Sequence, residues 1–312
     1  MSNVRPRNHH TMAVSPEIQP RHAHGRPLSN LTCPYCAEPV NRTTRKKEHV
    51  IGRRFVPKGT LDNCWNLILW SCEECNGKKS DLEDDISAIT MNFHTAGLPQ
   101  MDDPLASAEA TRKSRKSISR ATSKSVAESS AVHTVEMRPP SHASATFSFS
   151  SPPQLAEQRA YELARLQMMG FFYFLTYDSS QRLGHWWPGG FYPVHGTIKS
   201  DWGNPVHRAF MNEVAAWDYR LSLTTASGYY RAIIRRHPTQ ECWSWALEWN
   251  DCYRLVGFFG TLSAAQGVAN RLPDIPVRSA MEGNNRWVRY RVEEHLPEND
   301  DILFHVNTAP EA

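Results

Sequence analysis

Residues 33–36 read CPYC and residues 72–75 read CEEC, and these two Cys-x-x-Cys pairs decide the fold of the first third of the chain. Two intervening residues let both sulfurs of a pair reach one tetrahedral ion at about 2.3 Å, and two pairs complete a closed four-thiolate shell. A redox-active Cys-x-x-Cys would need only one pair. Cys64 lies between the pairs, and we predict that it is a buried apolar residue rather than a ligand. The predicted ligands of a structural Zn²⁺ are Cys33, Cys36, Cys72 and Cys75.

The rest of the chain has the composition of a soluble globular protein. Of its 312 residues, 40% are hydrophobic and 21% are charged, and no run of about 18 apolar residues indicates a membrane span. The first residues lack the apolar core that a secretion signal needs. We therefore expect a cytoplasmic, reducing location and no membrane partner, and in that setting clustered cysteines favour metal binding over disulfides.

Composition divides the chain into four parts. Residues 1–26, rich in His, Pro and Arg, are predicted to be a flexible tail, and residues 27–95 contain the cysteine module. Residues 96–152 are dominated by Ser, Ala, Lys, Arg and Pro, which favours a disordered linker. Residues 153–312 regain a globular composition and are predicted to form a separate α+β domain.

Hydrophobic periodicity outlines this second domain. Helices are predicted near residues 154–178, 204–217 and 263–272. The alternation over residues 242–247 predicts a strand of an antiparallel sheet, and Asn250-Asp251 predicts a hairpin turn. The predicted fold class is thus α+β: a small zinc-stapled module, a disordered linker, and a separate domain with an antiparallel sheet. Its tryptophans are expected in the core, and no catalytic signature is found there.

Three short motifs accompany the cysteine pairs: EHVI at residues 48–51, NLIL at 66–69, and NGKK at 76–79 directly after the last cysteine. In this order and spacing, the pairs and motifs resemble the HNH endonuclease family, whose core is the ββα-metal fold. The resemblance covers residues from about 30 to 90. It matches the four-Cys zinc variant in which Asn takes the place of the final His in the His-Asn-His signature. The first His follows Glu here rather than the commoner Asp. No family is recognised in the C-terminal domain.

The resemblance implies a role for each polar residue of these motifs. His49 would be the general base that deprotonates a water for attack on phosphorus, because an imidazole with a pKa near 6.5 suits that work at neutral pH. Asn66, or Asn63 in its place, would hold the loop or the His49 ring. Glu48 and Asn76 would offer oxygens to one Mg²⁺ or similar divalent ion, which acts as a Lewis acid at the phosphate.

Basic residues around the motifs suggest contacts with nucleic-acid phosphates. Seven arginines and lysines lie between residues 42 and 58, and two lysines end the last motif. Residues 80–83, Ser-Asp-Leu-Glu, match a capping box and predict the start of a further helix. The predicted phosphate contacts are Arg53, Arg54, Lys78 and Lys79.

The predicted function is therefore that of a metal-dependent HNH endonuclease, which hydrolyses phosphodiester bonds of nucleic acid. DNA is the expected substrate because the family mostly cuts DNA. Two alternatives stay open: a noncatalytic zinc module that binds nucleic acid or protein, and a nuclease directed at RNA. The combination of Glu48, His49 and Asn76 favours an enzyme, since a binding module needs none of the three at those positions. The sequence does not indicate an oligomeric state.

Overall fold

The structure is a computed structural model. It describes residues 17–18, 27–92, 104–137, 145–151, 153, 155–187, 189–276, 278–282, 286–290 and 292–306. Most of the predicted flexible tail, residues 1–26, lies outside these ranges. In the described part of the chain, no helix is long and apolar enough to cross a membrane.

Twelve strands and five helices make up the described regular structure, apart from short 3-10 turns. In chain order they are β1 (Glu17–Ile18), β2 (Arg45–His49), β3 (Ile68–Cys72), α1 (Glu73–Asn92), α2 (Pro104–Ser114), β4 (Ala131–Met137), β5 (Ala145–Ser151), α3 (Glu157–Leu175), β6 (Gly190–Ile198), α4 (Pro205–Val214), β7 (Asp218–Thr225), β8 (Tyr230–Arg236), β9 (Cys242–Trp249), β10 (Tyr253–Gly260), α5 (Leu262–Ala269), β11 (Arg278–Glu282) and β12 (Arg286–Tyr290).

The cysteine module is built from β2, β3 and α1. The two strands pair antiparallel, with Glu48 opposite Leu69, and α1 begins directly after the last residue of β3. α1 continues without a break through Ser80, so the predicted start of a further helix at this residue is wrong. Leu82 and Ile86 are buried at i,i+4 spacing, and such pairs stabilise one continuous helix.

A six-stranded sheet forms the centre of the C-terminal half, in the order β1-β7-β8-β9-β10-β6. Every pair is antiparallel except β1 with β7, which confirms the predicted α+β class with an antiparallel sheet. Asn250 and Asp251 connect β9 to β10 with φ angles of 56° and 50°. Positive φ at both positions is typical of a type I′ turn, so the predicted hairpin is confirmed.

Helices cover both faces of this sheet. α3 and the cysteine module share one hydrophobic cluster with one sheet face, whereas α4 and α5 pack on the other. The three predicted helices of this half are all present. α4 begins where Asn204 caps it, since the Asn204 side chain accepts a hydrogen bond of 3.0 Å from His207 N and Pro205 takes the first helical position.

The predicted disordered linker is wrong where the structure describes it. α2 lies against α1 with Ala106 and Ala110 buried, and β4 and β5 form an antiparallel hairpin. Asp84 and Asp85 of α1 accept hydrogen bonds of 3.0 Å from Ser117 Oγ and the Arg120 backbone. Polar contacts with the acids of α1 thus order this segment, although it offers little apolar surface.

The predicted separation into two domains is also wrong, because a single core crosses the boundary. Phe55 of the cysteine module meets Trp249 edge to face at 5.3 Å between ring centroids. Asn250 Nδ2 donates to Thr90 Oγ1 at 2.8 Å and to Phe55 O at 3.2 Å. α3 also comes close to the module, since a Cβ at Gly170 would lie 2.7 Å from Val50 Cγ2.

Candidate metal centre and active site

Four sulfurs converge at the junction of β3 and α1. The sulfurs of Cys33, Cys36, Cys72 and Cys75 all lie within 4.8 Å of one another, and those of Cys36 and Cys72 are 3.7 Å apart. Thiolates at about 2.3 Å from one tetrahedral ion would be about 3.8 Å apart, so the donors and their spacing fit a metal such as zinc. The predicted four-cysteine cluster is confirmed as a possible metal site.

Local backbone geometry brings each pair together. Ala37 follows the first pair with a φ of 70°, and its N–H donates to Cys33 O at 3.0 Å, which closes a tight turn around the two sulfurs. Cys72 ends β3 and Cys75 lies in the first turn of α1. The Cys75 N–H lies 3.5 Å from Cys72 Sγ, a contact that stabilises a thiolate.

The cluster is anchored to the rest of the fold. Trp186 Nε1 donates to Pro34 O at 2.7 Å, so the irregular segment before β6 holds the first cysteine turn. Burial raises the pKa of the Cys33 thiol to about 12 in the absence of an ion. Metal binding must therefore displace protons, which makes the affinity depend on pH. Cys64 lies outside the cluster as predicted, but it is half-buried rather than fully buried.

The two predicted ligands of the divalent ion lie side by side. Glu48, in β2, is 4% exposed, and its Oε2 accepts a hydrogen bond of 2.5 Å from Asn76 Nδ2 in the first turn of α1. Tyr35 OH donates to the other carboxylate oxygen at 3.2 Å. The oxygen and nitrogen of an amide are nearly interchangeable in shape, so a rotated Asn76 can present its oxygen beside the carboxylate.

Lys79 does not have the predicted role of a phosphate contact, because it is only 1% exposed. Its Nζ lies 2.8 Å from Glu48 Oε1, 2.5 Å from Glu83 Oε1 and 3.0 Å from His49 O. Burial lowers the pKa of Lys79, but the carboxylates of Glu48 and Glu83 outweigh burial and hold it above its ordinary value. The ammonium therefore balances the buried carboxylate of Glu48 and the half-buried carboxylate of Glu83 near the end of β2.

Glu83 is a site residue that the motif comparison missed. Its carboxylate also accepts a hydrogen bond of 3.1 Å from Gly52 N, in the loop that follows His49. Burial raises the pKa of Glu83, although Lys79 opposes this effect. The i,i+4 spacing of Lys79 and Glu83 signals an ion pair on a helix, but nothing in that spacing shows that the pair is buried.

His49 ends β2 and is half-buried. Burial, together with the charges of Lys47 and Arg53, lowers the pKa of His49 to about 4, so its imidazole is neutral at pH 7. A neutral imidazole can accept a proton. Among the described residues, its ring forms no hydrogen bond with Glu48 or Asn76, and His49 joins this network through its backbone carbonyl, which accepts a hydrogen bond from Lys79 Nζ.

Asn66 holds the loop after His49. Its Nδ2 donates to Ile51 O at 2.7 Å, and its Oδ1 accepts from Ile51 N at 3.3 Å. Asn63, the alternative for this role, is exposed to solvent. Of the two functions considered for the middle Asn, the hydrogen bonds of Asn66 therefore match loop support.

The other three predicted phosphate contacts lie at the surface. Arg53 and Arg54 are exposed, as is Lys78, which pairs with Glu162 at 2.6 Å. Arg45 instead stacks on Trp70, with its guanidinium carbon 3.9 Å from the ring centroid. Exposure is required of phosphate contacts, and Arg53, Arg54 and Lys78 keep that predicted role.

No family model, no curated protein and no solved structure matches this chain. The candidate site is therefore defined by its own geometry: a four-thiolate cluster, a carboxylate beside an amide, and a neutral imidazole at the end of a strand.

Proposed function

We propose that the chain is a metal-dependent endonuclease of the HNH type that hydrolyses phosphodiester bonds of nucleic acid, with DNA as the expected substrate. The observation that carries this proposal is the 2.5 Å contact between Glu48 and Asn76 at the meeting point of β2 and α1. His49 follows Glu48 in the same strand, and the four-cysteine cluster fixes the opposite end of the hairpin at Cys72. β2 and α1 thus carry Glu48, His49 and Asn76, the three residues to which this proposal assigns the chemistry.

Two metal ions with different functions are part of this proposal. The four thiolates would hold Zn²⁺ in a closed shell, which contributes folding free energy and leaves no position for substrate. Glu48 and Asn76 would hold Mg²⁺ or a similar ion, because such ions prefer oxygen ligands and keep open positions. When bound, this ion supplies Lewis acidity at the scissile phosphate.

The protein residues then have separate tasks. His49, neutral at pH 7, accepts the proton of the attacking water. Asn66 keeps the loop after His49 in a fixed position through its two bonds to Ile51. Arg53 and Arg54, exposed on that loop, provide positive charge for the backbone phosphates, which dominate nucleic-acid affinity.

One observation favours a second candidate, a noncatalytic zinc module that binds nucleic acid or protein. The ammonium of Lys79 already neutralises Glu48 at 2.8 Å, and a divalent ion would have to share this carboxylate with it. If Lys79 prevents ion binding, the module can only bind its partner.

A cleavage assay separates the two candidates. Supercoiled plasmid and a structured RNA are incubated with protein purified in its zinc form, in Mg²⁺, Mn²⁺ or EDTA. We expect metal-dependent cleavage that falls by a factor of about 10² or more in His49→Ala, the usual contribution of a general base. His185→Ala, a change at an exposed histidine, is the matched control and should keep full activity.

Full metal-dependent cleavage by His49→Ala would refute the catalytic assignment. If neither nucleic acid is cut by the wild type but one is bound, the second candidate is correct. Preferential cleavage of the RNA would retain the chemistry and change the substrate.

A further inference from the structure

A cavity of about 380 Å³ lies in the C-terminal half, between the first residues of β7 and the last described residues of the chain. Its volume is within the range of small-molecule sites, which starts at about 300 Å³. Its lining combines aromatic and basic side chains with one exposed carboxylate, that of Asp218; the aromatic and basic residues include Trp217, Tyr219, Arg220, Arg235 and His305.

Arg235 in the cavity wall is a buried charge without a counter-charge. This β8 residue is 3% exposed, and its Nη2 donates to Leu303 O at 2.9 Å and to His305 O at 3.0 Å. In the part of the chain that the structure describes, no carboxylate lies within ion-pair distance of Arg235, and its Nε and Nη1 donate no hydrogen bond. Burial lowers the pKa of Arg235 to about 10, so the guanidinium is still charged at neutral pH.

The strand beside Arg235 is irregular at the cavity. The register of β7 against β8 shifts between Tyr219 and Leu221, which leaves Arg220 as a bulged residue. Bulges often redirect side chains next to functional sites. Arg220 is partly compensated by Asp218 at 3.4 Å, so the uncompensated positive charge of the cavity belongs to Arg235.

A second cleft, of about 340 Å³, differs from the first in its charged lining. Asp251, Glu298 and Asp301 contribute to its lining. Its lysine, Lys199, is paired with Asp251 at 2.7 Å, and Arg231 lies 3.6 Å from Glu248. The lysine and the arginine in the lining of the second cleft thus each have a carboxylate partner, unlike Arg235.

We propose that the first cavity binds a phosphate monoester on a small aromatic molecule, such as a mononucleotide. The free N–H groups of Arg235 would donate to the phosphate, since a guanidinium matches the geometry of phosphate oxygens. Tyr219, which is half-buried in the lining, offers a ring face for a base. This ligand site is independent of the proposed nuclease activity.

Isothermal titration of the full chain tests the proposal, with adenosine 5′-monophosphate, inorganic phosphate and adenosine as probes. We expect the monophosphate to bind most tightly. Arg235→Gln should weaken its binding at least about tenfold, the effect of losing a charged hydrogen bond. Arg236→Gln is the matched control, because Arg236 is the next residue of β8, does not line the cavity and lies over Trp243 instead. His49→Ala should bind like the wild type.

A second variant covers the case in which Arg235→Gln unfolds. Ala216 lines the cavity and is exposed, so Ala216→Trp should block the cavity without disturbing the core. Saturable binding that either variant leaves unchanged would overturn the proposal, as would the lack of binding of every phosphate probe up to about 10 mM. Equal affinity for inorganic phosphate and adenosine 5′-monophosphate would support phosphate binding by Arg235. It would refute the proposed contact between the base and the Tyr219 ring.

Discussion

Replacing Lys79 with Met removes the cation that lies between the buried carboxylate of Glu48 and the half-buried carboxylate of Glu83. The Lys79 ammonium is 2.8 Å from Glu48 Oε1 and 2.5 Å from Glu83 Oε1, and its side chain is 1% exposed. Met has nearly the same length and volume, so the change removes the charge and little packing. The carboxylates would keep only neutral donors, including Tyr35 OH for Glu48 and Gly52 N for Glu83.

The expected loss of stability is large. Removing one partner of a buried ion pair costs about 3–5 kcal/mol, because the remaining charge is left desolvated. A typical domain has a free energy of unfolding of about 5–15 kcal/mol, so Lys79→Met should remove a substantial part of it. Urea titration at pH 7, followed by tryptophan fluorescence, measures the difference from the wild type.

The loss should also depend on pH in a definite direction. The folded-state pKa of Glu83 is already raised by burial, and without Lys79 it should rise further. An acid with a raised folded-state pKa favours the folded state below its unfolded pKa, and this stability is lost as the pH rises through the folded pKa. The difference in the free energy of unfolding between the variant and the wild type should therefore become smaller towards acidic pH. There Glu83 is protonated in both the folded and the unfolded state.

Two further variants make the result decisive. Lys78→Met changes the neighbouring lysine, which is 57% exposed, and should alter stability by less than about 0.5 kcal/mol. The double variant Lys79→Met/Glu83→Gln removes one carboxylate together with the ammonium and should recover part of the loss. If Lys79→Met lowers the free energy of unfolding by less than about 1 kcal/mol, its ion pairs contribute no more than exposed ones do. That result would refute the assigned stabilising role of Lys79.

Three other outcomes follow from the site. Cys33→Ser should release about one equivalent of zinc and unfold the module, as measured by metal analysis and circular dichroism, whereas Cys64→Ser should retain the zinc. Protein that contains no zinc before mutation would contradict this. Asn66→Ala should lower the free energy of unfolding by about 1–3 kcal/mol, because the buried backbone groups of Ile51 lose their partners; an unchanged urea midpoint would be the opposing result. The pH profile of kcat/KM should have its acid limb near the His49 pKa of about 4. A limb at the ordinary imidazole value of about 6.5 would mean that His49 is not the base or is not desolvated.

Elements with a local signal were predictable from the sequence. The cysteine spacing located the cluster, and the turn residues Asn250 and Asp251 located the β9–β10 hairpin, because only a few residue types adopt two consecutive positive φ angles. The helix predicted near residues 204–217 from its periodicity is α4, and the structure shows that Asn204 and Pro205 form its start. In each case the residues that form the feature are neighbours in the chain or belong to a known ligand pattern.

Features that depend on distant partners were not predictable. Residues 104–129 have the composition of a linker, yet α1 supplies Asp84 and Asp85 as acceptors for this segment. Lys79 belongs to a run of polar residues that is typical of an exposed helix face, and its burial results from Glu48 in another element. In both cases the partner lies in another element, and the sequence pattern of one element does not show which residues of another element contact it.

The contact between the two halves holds the loop that follows His49, the proposed base, through residues outside the small cysteine module. The loop from Val50 to Phe55 directly follows the proposed base. Its first and last residues, Val50 and Phe55, are buried. Phe55 packs on Trp249, and its carbonyl accepts a bond from Asn250, so the loop is fixed by residues almost two hundred positions away. A two-stranded hairpin with one helix buries little apolar surface by itself. The antiparallel sheet thus supports this loop from outside the module, and α3, the sheet and the module share one hydrophobic core.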